Sequence, residues 1–122
     1  LKTMLDFPFL NIDGIEISSK LSKISIKNFK KLKTNKVKIF NQDASCFKHY
    51  NNYKYFYLYN PFSEIILKKV INQINKQIMG KEIFIKYNNP VCHDYMIDSN
   101  FLLFKKFPDA WGNGINLYTK SF

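Results

Sequence analysis

Three short cassettes place a polar or turn-forming residue where an apolar, β-branched or aromatic run ends. They are Glu16 within residues 14–18 (GIEIS), Asp43 within residues 42–44 (QDA), and Asn60-Pro61-Phe62 closing residues 57–62 (YLYNPF). In an open α/β sheet such positions fall where a parallel strand runs out into its loop, and ligands bind at that edge. A carboxylate there accepts hydrogen bonds from hydroxyl groups. Asn60-Pro61-Phe62 offers an amide, a backbone carbonyl held by proline, and an aromatic face that can stack on a planar group or sit against a cation. Taken singly, each has an ordinary reading: a solvated acid at a strand end, an Asp capping a loop, a proline-nucleated helix start. Their order, and separations that each fit a strand or a helix-plus-strand unit, are what bring the three to one sheet edge, with Ile17 and Ala44 beside them.

The remaining groups with chemical potential are few. His49 and His93 are the only histidines, and a general-base role for either stays open. Cys92-His93-Asp94 has the donor types of a metal site, but neighbours on a short helix point in different directions, so no three-ligand site is expected. Cys46 and Cys92 lack Cys-x-x-Cys spacing and sit among apolar residues, which predicts buried or semi-buried free thiols.

The elements that must position these groups alternate in type. Residues 1–6 read as the last turn of a helix, ended by Phe7-Pro8-Phe9. Residues 11–17 form a short strand. Ser18 or Ser19 caps a helix reaching about residue 32, with Leu21, Ile24, Ile26 and Phe29 near helical spacing and Lys20, Lys23, Lys27, Lys30 and Lys31 on the other side. A strand over 37–41 leads past Asp43 into one helical turn near 45–50. The aromatic run 53–59 predicts a strand buried on both faces. Pro61 ends it, and Ser63-Glu64 opens an amphipathic helix to about Met79, stopped by Gly80. A strand over 82–87, the Asn89-Pro90 turn and a short helix over 91–98 follow. Residues 101–107 and 115–122 then flank Trp111-Gly112-Asn113-Gly114 without an intervening helix, which predicts an antiparallel pair.

The chain has 122 residues, enough for one domain with a modest core, and 46% hydrophobic with 17% aromatic content is too apolar for disorder. No run approaches the ~20 apolar residues that cross a bilayer, and residues 1–3 carry neither an initiator Met nor a signal pattern. A cytoplasmic protein without a membrane partner is expected, its first residue marking a break in a longer gene. The net charge of +10 invites phosphate binding. All 19 basic residues are Lys, however, and a chain without Arg lacks the bidentate donor that reads guanine, so only nonspecific attraction to nucleic acid is expected.

From about residue 11 onward the chain resembles the S-adenosylmethionine-dependent methyltransferases of the Rossmann-like class. In that family an acidic residue ending the second strand holds the ribose hydroxyls, an Asp after the third lies near the adenine, and an Asn-Pro or Asp-Pro turn after the fourth faces the transferred methyl. Glu16, Asp43 and Asn60-Pro61-Phe62 match those positions. The resemblance therefore implies a cofactor site at Glu16, Ile17, Asp43, Ala44 and Asn60, catalytic residues Asn60, Pro61 and Phe62, S-adenosylmethionine as cofactor, and a small-molecule or macromolecular methyl acceptor. Members that methylate amino groups carry a second proline where Phe62 stands, which speaks against adenine or cytosine amino methylation.

The implied architecture is a single α/β domain over residues 1–122: a Rossmann-like methyltransferase sheet with an antiparallel C-terminal hairpin, N-terminally truncated. The family's central first strand and its Gly-rich loop have no counterpart in the sequence. In the family order (three, two, one, four, five, seven, six) that strand separates the second from the fourth. The strands over 11–17 and 53–59 are thus expected either to pair directly or to leave an open slot, and this chain alone to hold the cofactor weakly or not at all. Two other classes remain. One is a catalytically inactive Rossmann-like domain that binds nucleic acid or a protein partner through its Lys-rich surface. The other is a different nucleotide-binding α/β enzyme, such as a dehydrogenase fragment, in which Glu16 still holds a ribose.

Overall fold

The computed structural model describes residues 9, 11–59, 62–109 and 112–122. The helix tail expected over residues 1–6, and Asn60, Pro61 and Trp111, lie outside the described residues. The chain divides into two compact units, residues 1–47 and 48–122.

In the first unit β1 (Ile12–Ile15) and β2 (Val37–Phe40) pair in parallel, Ile12 opposite Val37 and Ile15 opposite Phe40. The crossover is α1 (Ser19–Lys31). Ser18 starts it by accepting the Leu21 N–H on its hydroxyl, and Lys30 and Lys31 complement the negative end of the helix dipole in its last turn. The buried position on α1 is Ser22, while Phe29 is half-buried and Leu21, Ile24 and Ile26 are exposed. The apolar residues expected to form the core stripe are therefore not its buried side.

After Asp43 the single turn expected near residues 45–50 resolves into two 3₁₀ turns, Ala44–Cys46 and Tyr50–Asn52. Phe47, between them, is buried and packs edge-on against Phe40 at 5.1 Å. Cys46 is exposed and Cys92 half-buried, both as free thiols, so the expectation of burial fails for Cys46: its turn holds Ala44 and Ser45 inward instead.

The second unit carries a four-stranded sheet in the order β3-β4-β6-β5. β3 (Tyr55–Tyr59) and β4 (Glu82–Asn88) are parallel, and β6 (Ile115–Ser121) runs antiparallel to both β4 and β5 (Leu102–Phe107). Between β3 and β4 lies α2 (Glu64–Gln77), capped by the Ser63 hydroxyl, and Gly80 takes φ +66°, a left-handed stop that glycine adopts without strain. Leu67, Val70, Ile71 and Ile74 of α2 are buried, as are Ile83, Ile85 and Tyr87 of β4 and Tyr118 of β6. The short α3 (His93–Asp98) adds Met96 to this core.

β3 departs from the expected burial on both faces. Its Leu58 is buried, but Tyr55, Tyr57 and Tyr59 are exposed, so the strand is covered on one face and open on the other. Among the described residues β1 and β3 belong to different sheets, one in each unit, so of the two outcomes expected for these strands direct pairing is not the one seen. Each of them has one ladder partner among the described residues, β2 for β1 and β4 for β3. The order within each sheet is that expected of the family with its first strand left out.

Candidate functional site

Because β1 and β2 are parallel, the loops that follow them lie at one edge of the first sheet, and Glu16 and Asp43 share that edge. Glu16 is half-buried, and its Oε1 accepts the Ser18 N–H at 2.9 Å. The Asn41 side-chain amide donates to the carbonyls of Glu16 and Ile17 at 2.9 and 3.1 Å, tying the loop after β1 to the end of β2. The backbone beneath Glu16 is thus fixed from two sides. Among the described residues no donor is recorded on its second carboxylate oxygen. Ile17, beside it, is exposed.

Asp43 is committed to its own loop. Its Oδ1 accepts both the backbone N–H and the hydroxyl of Ser45 at 2.8 Å, making it the N-cap of the first 3₁₀ turn. This bond buries Ala44 and Ser45 and sets the path of the chain at the sheet edge. Phe62, beyond β3, is half-buried; its neighbours Asn60 and Pro61 are outside the described residues.

A second polar group, which the sequence did not single out, lies in the second unit. His93 Nδ1 and the Tyr118 hydroxyl are 2.7 Å apart, and the Asn116 amide donates to that hydroxyl at 2.9 Å. Tyr118 and Asn116 are buried; burial holds the Tyr118 phenol above its ordinary pKa, against the Asn116 hydrogen bond, which favours the phenolate. Asn116 Oδ1 is buried without a partner among the described residues. His93 and Asn116 line a recess of about 350 Å³ together with Pro90, Lys106, Pro108 and Asn113. Asn89, at φ +54°, accepts the Asn113 N–H and side-chain amide on Oδ1 at 3.3 and 3.0 Å and donates its own N–H to Gly114 O at 2.7 Å. The turn after β4 is thereby clamped to the β5–β6 connection. His93 was visible in the sequence; its partners were not, since the pairing depends on where β6 falls against α3. No cluster of three metal-ligating side chains occurs among the described residues.

No family model matches this chain, and no curated protein does. Solved structures do. A candidate methyltransferase, yhhF, from Escherichia coli superposes with a TM-score of 0.66 at 19% identity, covering 92% of this chain and 65% of that one. An rRNA methylase from Streptococcus thermophilus gives 0.59 at 10% identity, over 89% and 71%. A candidate methyltransferase from Streptococcus mutans, SMU.1697c in complex with SAH, gives 0.53 at 12%, over 89% and 74%. At such identities the likeness establishes the architecture: the chain has the Rossmann-like methyltransferase fold, represented in part. It spans 65% of the length of the E. coli structure.

Proposed function

We propose that this chain contributes the nucleoside-binding part of an S-adenosylmethionine-dependent methyltransferase. The observation that carries the reading is the strand order β3-β4-β6-β5, in which the last strand enters antiparallel between two that are parallel to one another, together with a parallel β1-β2 pair in the first unit whose edge carries Glu16. That order agrees with the fold of the neighbours, one of which holds SAH.

The donor set at Glu16 suits a ribose. One carboxylate oxygen holds the Ser18 N–H and so fixes the side chain; the other is presented to a hydroxyl. Ile17 offers an apolar surface to the adenine, and Ala44 lies in the loop that Asp43 shapes through Ser45. Asn60, Pro61 and Phe62 are assigned to the region of the transferred methyl, where they orient the acceptor and exclude water. The cofactor, when bound, supplies an electrophilic methyl on a sulfonium. The chain's part is positioning, and for some acceptors the removal of a proton. The acceptor itself is not assigned.

A titration of S-adenosylhomocysteine into the 15N-labelled chain tests this. Millimolar-range binding is expected, with amide shifts concentrated at Glu16, Ser18, Asp43 and Ser45 and abolished by Glu16→Ala. Shifts that ignore Glu16→Ala, or none at saturating ligand, remove Glu16 and Asp43 from the assignment and turn the reading toward a catalytically inactive Rossmann-like binding domain.

A further inference from the structure

The hydrogen bonds among His93, Tyr118 and Asn116 fix which ring nitrogen of His93 carries its hydrogen. Asn116 Nδ2 can only donate; it gives a hydrogen bond to the Tyr118 hydroxyl at 2.9 Å and lies 3.4 Å from His93 Nδ1. Tyr118 is fully buried, and the acceptor recorded for its own hydrogen among the described residues is His93 Nδ1, at 2.7 Å. Nδ1 therefore uses its lone pair, and the hydrogen of the neutral imidazole sits on Nε2. That N–H points away from Tyr118, and among the described residues no partner is recorded for it.

His93 and Asn116 both line the recess of about 350 Å³, a volume at the small end of ligand sites. The strands that flank it, β4 and β6, each have a ladder partner on both sides, so its walls lie away from the outer edge of β3. Asn89 ties the turn after β4 to the β5–β6 connection and so fixes the two rims against each other. Charge narrows the occupant. Lys106 and Asp109 line the recess with opposite signs, so it offers an ion no net attraction. Pro90 and Pro108 add apolar surface, and the imidazole N–H adds one directed donor. A planar, uncharged ring bearing a carbonyl oxygen suits all three features, whereas a phosphate suits only the donor and is repelled by Asp109.

We propose that this recess binds an uncharged planar cyclic amide whose carbonyl oxygen accepts the His93 Nε2 hydrogen. Tyr118 and Asn116 are positioning residues that hold the imidazole in its donating tautomer. At this site His93 is a donor and not a proton acceptor, which answers the general-base role that the sequence left open. The recess lies in the second unit and is assayed without cofactor, so the outcome of the S-adenosylhomocysteine titration does not bear on it.

Long-range 1H–15N correlation spectra of the imidazoles, recorded on the full chain, read the tautomer. Titration with uracil, an uncharged planar cyclic amide, tests the ligand on the same sample. Hydrogen on His93 Nε2 is expected in the unaltered chain, and a mixture of the two tautomers in Tyr118→Phe. Uracil is expected to shift His93 Nε2 and the amides of Asn113 and Asn116, with affinity about fivefold weaker for His93→Ala and retained by His93→Gln, whose amide also donates. Hydrogen on Nδ1, the pattern that the opposite orientation of the Asn116 amide would give, overturns the proposal and makes Nε2 an acceptor. A single tautomer that survives Tyr118→Phe removes Tyr118 from the positioning role. No response to uracil, or a response indifferent to His93→Ala, overturns the ligand assignment, as does a response at these positions to inorganic phosphate in its place.

Discussion

Tyr87 and Tyr118 are large, fully buried side chains, and their phenols report how dry that core is. Burial, reinforced by the neighbouring Cys92, pushes the Tyr87 phenol up to about 12, and burial raises that of Tyr118 as well. An unfolded tyrosine titrates near 10, so above that pH the unfolded chain loses protons that the folded chain keeps. The stability held by these two phenols is fully present below about pH 10 and is lost as pH rises toward about 12. Urea unfolding followed across that window, alongside phenolate absorbance, is expected to show falling stability with delayed ionisation of two tyrosines. Phe replacing Tyr87 should flatten part of the dependence. At this scale the sequence placed Glu16 and Asp43 after strands, Glu16 directly behind Ile15 and Asp43 behind Phe40 with only Asn41 and Gln42 between, and the strands end there. The His93–Tyr118–Asn116 trio was not, because His93 lies more than twenty residues from Asn116 and Tyr118 and nothing local links it to them.

Among the elements, caps and stops are the features written locally. Ser18, Ser63 and Gly80 were readable because a capping hydroxyl or a left-handed glycine acts within one turn of the chain. Gly114 shows what such reading misses. It has φ +70°, and a Cβ added there would collide with the Phe107 carbonyl oxygen, so it is required both by its backbone angle and by the closeness of β5. Gly114→Ala is expected to destabilise the chain by about 1–3 kcal/mol, measured by thermal unfolding, and to weaken protection of the Asn89 amide, which bonds to the Gly114 carbonyl. α1 and β3 were placed correctly as elements, yet the side each buries was not. Apolar spacing identifies a stripe but cannot say whether anything packs on it.

For the molecule as a whole, the buried apolar residues divide unevenly. Of those described, Ala44 and Phe47 belong to the first unit and all the rest to the second. Hydrogen exchange is expected to follow that division, with the slowest amides in β4 and its partner β6 around Ile83, Ile85 and Tyr118, and much faster exchange in the β1–β2 ladder, whose residues are at best half-buried. Equal protection of the two ladders would contradict the uneven core. The sequence by itself determined the succession of strands and helices, the antiparallel finish, and the polar residues at the strand ends, because periodicity, caps and turn residues act over a few neighbours. Only the tertiary structure decided that β1 and β3 fall in different sheets, that Tyr55, Tyr57 and Tyr59 of β3 are exposed, and that His93 meets Tyr118. Each of those depends on which surfaces approach one another across long stretches of chain, and no local pattern of residues encodes that approach.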